Sequence, residues 1–90
     1  MIIDNNISIA PYVMFEKFDD EAVLLDVRKQ EHYGLDPITC EFLQSIQDGL
    51  SNTESISLIL KQYDVSEKRL NQDLNVVLES LLEHELITLS

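Results

Sequence analysis

Leu70, Leu74, Val77, Leu78, Leu81 and Leu82 recur at three- and four-residue spacing, which puts all of them on one stripe of an α-helix turning about 100° per residue. A stripe this continuous has to be buried against other elements, so the chain must build a packed core around its last helix. Ser66 can cap that helix, and Glu67 sits favourably at its positive end. Glu83-His84-Glu85 closes it. Leu86-Ile87-Thr88-Leu89 then either extends the helix or runs back as a short extended tail.

Two further helices precede it. Asp36-Pro37 is a start signal, because a carboxylate can accept from the free N–H groups and Pro costs nothing at the first helical position. Ile38, Phe42, Leu43 and Ile46 follow at helical spacing, and Gly49 suits a left-handed residue just past an end near Asp48. Cys40 lies off this stripe and is expected to be partly exposed. Ser51-Asn52-Thr53-Glu54 matches a capping box, and Ile56, Ile59, Leu60 and Tyr63 give the stripe of a middle helix running to about Gln62.

The N-terminal third is strand-like. Ile7 to Phe18 is rich in β-branched and aromatic residues, with Tyr12 and Met14 alternating against Val13 and Phe15, and predicts a first strand. Asp19-Asp20-Glu21 is a polar turn, and Ala22 to Val27 is an apolar run of strand length. After Arg28-Lys29-Gln30, Glu31-His32-Tyr33-Gly34-Leu35 forms a short third strand with Tyr33 and Leu35 on one face and His32 on the other. The turn before it has no Gly or Asn for a positive φ. The fold class is therefore α+β: a three-stranded antiparallel sheet followed by three helices. With 90 residues and one core, residues 1–90 are read as a single domain.

Composition narrows the function. Seventeen acidic residues against six basic ones give a net charge of -11, which repels nucleic acid and anionic lipid. No apolar run reaches the ~18 residues of a membrane span, and the first residues lack a secretory pattern, so a cytoplasmic location is expected. The lone Cys40 allows no internal disulfide, and neither His32 nor His84 has a partner at metal-ligand spacing. There is no Gly-rich phosphate loop, Ser-centred nucleophile motif or defined carboxylate pair, so no metal, cofactor or catalysis is expected.

One feature points to binding. Val76 lies opposite the leucine stripe among Arg69, Gln72, Asp73, Glu79 and Ser80, so an apolar side chain interrupts a polar face. In a meander ordered 1-2-3 the third strand is an edge with free N–H and C=O groups, and such an edge accepts a peptide as an added strand. The plain alternative is a protected edge beside an ordinary solvated helix face.

The series Ala22-Val23-Leu24-Leu25-Asp26-Val27, Tyr33-Gly34-Leu35-Asp36, Phe42-Leu43 with Ile46 and Gly49, Tyr63-Asp64-Val65-Ser66, then Asp73, Val77, Leu81, Leu82 and Leu86-Ile87 resembles the PqqD-like family over roughly residues 7 to 89. That family includes the recognition elements of ribosomally made, modified peptides, among them the stand-alone leader-binding proteins of lasso-peptide systems. The resemblance implies a winged-helix-like, peptide-chaperone domain. Such a domain holds a precursor's leader peptide as a strand between strand three and helix three and delivers it to a separate protease, cyclase or radical enzyme. By position, Glu31, His32, Tyr33 and Gly34 would offer the strand edge, and Lys68, Arg69, Gln72, Asp73 and Val76 would line the other wall. Lys68 and Arg69 could pair with acidic leader residues, and Val76 could floor an apolar pocket. Where many members carry a Gly in the turn before strand three, this chain has Lys29-Gln30, which leaves the hairpin geometry open. An acidic protein-interaction domain is the alternative. A winged-helix DNA-binding regulator is disfavoured because helix three mixes Lys68 and Arg69 with Asp73, Glu79 and Glu83. Whether the chain is a monomer or a dimer stays open.

Overall fold

The computed structural model describes residues 1–19 and 21–90. After a short 3-10 turn at Ile2–Asp4 come β1 (Ile7–Ile9), β2 (Val13–Phe18), β3 (Glu21–Asp26), β4 (Glu31–Leu35), α1 (Pro37–Gln47), α2 (Asn52–Gln62), α3 (Glu67–Glu83) and β5 (Ile87–Leu89). Asp20, read above as part of the first polar turn, lies outside the described residues.

The helix starts follow from the caps. Asp36 accepts from the Thr39 N–H at 2.9 Å and from the Thr39 hydroxyl at 2.7 Å. Ser51 and Glu54 bond each other's backbone N–H at 3.1 and 2.9 Å, a reciprocal pair that satisfies two otherwise free donors. Ser66 accepts from the Arg69 N–H at 3.1 Å. Past α1, Gly49 takes φ +93°, a left-handed backbone that side chains resist.

β2, β3 and β4 form an antiparallel meander in that order, with Phe15 opposite Leu24 and Leu24 opposite Tyr33. Its inner face contributes Val13, Phe15, Leu24, Tyr33 and Leu35 to a core that also holds Phe42, Leu43, Ile59, Leu70, Leu74, Leu78, Leu86 and Ile87. α1 packs on α2 and against β1 and β3, while α3 is backed by the N-terminal turn and β5. Asn75 of α3 accepts from the Ile2 N–H at 2.7 Å, and Asn52 donates to the Ile3 and Asn5 carbonyls at 2.6 and 2.7 Å, which fastens the chain's start to α3 and α2.

Two expectations change. The single strand from Ile7 to Phe18 is two strands in different sheets, because Pro11 donates no backbone hydrogen bond and the chain turns there, the Val13 N–H reaching the Ala10 carbonyl at 3.0 Å. β1 instead pairs antiparallel with β5, with Ile7 opposite Leu89, so the C-terminal residues run back as a strand rather than lengthening α3. Cys40 is buried at 8% exposure rather than partly exposed, since the sheet, through Ala22 and Leu35, lies beside that flank of α1. Burial pushes its thiol pKa up, so it is a poor nucleophile. Among the described residues no helix is long and apolar enough to cross a membrane.

Candidate functional site

Among the described residues β4 is bonded to β3 alone, so along its other edge every second residue leaves an N–H and a C=O without a strand partner. On β4 Glu31, His32 and Gly34 are exposed, and Tyr33 is half-buried with its ring turned inward. The end of α3 meets β4 in a ring contact: the Tyr33 and His84 rings lie 4.9 Å apart, and His84 Nδ1 is 2.8 Å from the Ser80 carbonyl. The Tyr33 hydroxyl donates to Glu31 at 2.8 Å, and this bond, with burial, raises its pKa.

Beyond the C-terminal end of β4 the space opens into a cavity of about 210 Å³ lined by Asp36, Ile38, Thr39, Val65, Leu70, Asp73, Leu74 and Val77. Its apolar members would lower the free energy of a buried aliphatic or aromatic side chain by removing surface from water, at roughly 25 cal/mol per Å². A free strand edge that runs into an apolar cavity can hold an extended peptide by main-chain bonds and one side-chain anchor.

The position of β4 is fixed by a polar knot at the β3–β4 turn. Asp26, fully buried at the end of β3, accepts from the Arg28 and Lys29 N–H groups at 2.9 and 3.2 Å and from the Arg28 guanidinium at 3.4 Å. Arg28 lies 3.4 Å over the Tyr12 ring, and Tyr12 donates to the Glu85 carbonyl at 2.7 Å. Arg28 and Lys29 both approach the Glu85 carboxylate, at 3.9 and 3.7 Å, so the hairpin is tied to the turn after α3. Gln30 takes φ +56° in place of a glycine, a strain on the order of 1 kcal/mol that these bonds must offset.

Burial alone would raise the Asp26 pKa, but the Arg28 side chain and the two backbone donors outweigh it and hold the carboxyl below its ordinary value of 3.8. The ionised form therefore stabilises the fold, fully above that ordinary value and progressively less as the pH falls through the lower folded one. Asp26→Asn is expected to have a lower Tm than wild type at pH 7, with the gap narrowing below about pH 4. Thermal melts by circular dichroism across this range check it, and a gap that stays constant or widens in acid would remove the ionised-carboxylate role.

The residues singled out from the sequence lie on two elements, β4 and α3. Glu31 to Gly34 form the edge itself; Lys68, Arg69, Gln72, Asp73 and Val76 are all exposed on α3. Of the helix set, Asp73 reaches the cavity, and Val76 is 67% exposed one position before the lining Val77. Arg69 is already bonded to Asp73 at 3.2 Å. From the sequence Ile38, Val65, Leu74 and Val77 read as core or linker residues, because an apolar stripe does not reveal which members border a cavity.

The model of the family described as coenzyme PQQ synthesis protein D (PqqD) matches residues 21–87, which contain β3, β4 and all three helices. The chain belongs to the PqqD family. No curated protein matches it. Two solved structures superpose closely on this PqqD-family chain. One, TbiB1 in complex with the TbiA(beta) leader peptide, is 28% identical with a TM-score of 0.80 and covers 89% of this chain and 93% of its own. The other, a lasso peptide synthetase B1 complexed with the leader peptide, has a TM-score of 0.81 and covers 92% and 98%; at 23% identity it speaks to the fold alone. The α+β architecture, a three-stranded antiparallel sheet followed by three helices, is thus shared with both.

Proposed function

We propose that this PqqD-family chain binds the leader peptide of a ribosomally made precursor as a strand added to β4, against α3, and presents the precursor to a separate processing enzyme. The observation that carries this reading is the free β4 edge together with an apolar cavity that starts at Asp36, the residue after β4, and is lined by α1 and α3, in a chain 28% identical over most of its length to a protein described in complex with a leader peptide. Glu31 to Gly34 supply main-chain bonds, and the cavity between Ile38, Val65, Leu74 and Val77 takes one apolar side chain. Lys68, Arg69, Gln72, Asp73 and Val76 form the outer rim of the wall, where Lys68 meets acidic leader residues and Arg69 does so by leaving Asp73. The chemistry belongs to the partner enzyme, and the encounter takes place in the cytoplasm.

The test is a fluorescence-anisotropy titration against the leader of a small precursor encoded beside this chain's gene, with a scrambled leader and duplex DNA as controls. Saturable binding of the leader alone supports the reading; equal binding of the scrambled peptide, or none, contradicts it. Salt separates it from an acidic interaction surface: strand addition with an apolar anchor should lose little affinity as ionic strength rises, whereas charge pairing should lose much.

A further inference from the structure

Gly34 sits in the middle of an edge strand without a reason inside the free chain. Its backbone does not adopt a positive φ, and a Cβ built on it would meet no atom within 4 Å. Glycine in a strand interior loses conformational freedom and contributes no packing, and a close approach by a ligand or another backbone is one of the features it marks. The register shows from which side. Gly34 pairs with Val23, which pairs with Glu16, and this row lies on the outer face of the sheet, away from the core and from the cavity beside α3. Val23 on this face is half-buried, and the adjacent row holds the half-exposed Met14, the half-buried Leu25 and the exposed His32.

We infer that the outer face of β4 carries a second subsite, in which a large aromatic side chain of the incoming strand lies across Gly34 and rests on Val23. The inference builds on the leader-binding reading and adds a specificity that the cavity does not provide. In an added strand the residue paired with Gly34 points to this outer face, since side chains alternate across a sheet. From that strand to β3 is two strand spacings, roughly 9–10 Å. Phe, Tyr or Trp lying flat over the bare Gly34 backbone spans the distance to Val23, while Ala or Ser leaves Val23 in water. A side chain at position 34 would lift the ring off.

The experiment is a double-mutant cycle by anisotropy, with wild type and Gly34→Val against the leader of the neighbouring precursor and against leaders with each aromatic changed singly to Ala. Valine suits a strand and meets open space, so the Tm of Gly34→Val should equal or exceed that of wild type, and a melt confirms it. The expected result is a loss of about tenfold for the natural leader on Gly34→Val, with one Ala-substituted leader weakened on wild type but changed less than about threefold between the two proteins. Undiminished binding of the natural leader to Gly34→Val, or an equal loss for every leader, overturns the subsite. Failure of wild type to bind the natural leader removes the parent reading, and the subsite with it.

Discussion

Val76→Asp is expected to weaken leader binding by about thirtyfold or more, because a carboxylate pressed against an extended peptide loses water without gaining a partner. Asp73 and Glu79 lie one turn to either side on α3, so the new charge also meets like charges in the free protein, a stability cost of about 0.2–0.5 kcal/mol per pair that binding does not change. The fold should survive, since Val76 is 67% exposed and belongs to no part of the core. Anisotropy titration and a thermal melt of the same preparation separate the two effects. Val76→Ala, which removes only apolar contact, should cost a few-fold. Unchanged affinity in Val76→Asp would take this residue out of the site.

Phe42→Ala should have the largest effect on stability. Phe42 is fully buried on α1, in the core shared by the sheet and all three helices. Removing a buried ring costs about 3–5 kcal/mol, as lost transfer energy plus the cavity left behind. A domain of this size has on the order of 5–15 kcal/mol in total, so the variant should be marginal, with a urea midpoint well below that of wild type. Phe42→Leu, which keeps most of the volume, should retain the greater part of the stability. A midpoint for Phe42→Ala within error of wild type would mean that the core does not close around this ring.

The helices were legible because their signals are local. Asp36-Pro37, the Ser51–Glu54 box and Ser66 each act within one turn, and the leucine stripe of α3 is a property of adjacent residues. The alternation in β4 was equally local, with Tyr33 and Leu35 inward and His32 outward. What escaped depends on distant partners. β1 reads as part of β2 until Leu89 is known to pair with Ile7, and only the turn at Pro11 separates them. Cys40 looks exposed on a helical wheel because a wheel contains no sheet. Asp26 reads as an incidental carboxylate in an apolar run, whereas its role needs Arg28 bent back over Tyr12 and Glu85 brought up from the far end of the chain. The strand-edge half of the candidate site follows from strand order alone. The cavity half does not, because Leu74 and Val77 share their stripe with Leu78 and Leu81, which are buried and do not line the cavity.

The central claim is that a leader is held as a strand on β4. The most direct measurement is amide hydrogen exchange of this protein, residue by residue, with and without a saturating leader peptide. The expected result is slowed exchange at alternate amides between Glu31 and Leu35, whose N–H groups gain main-chain partners, with smaller protection along α3 near residues 68–77. Protection confined to another surface, with β4 exchanging as fast in the complex as in the free chain, would contradict strand addition even if the leader binds tightly.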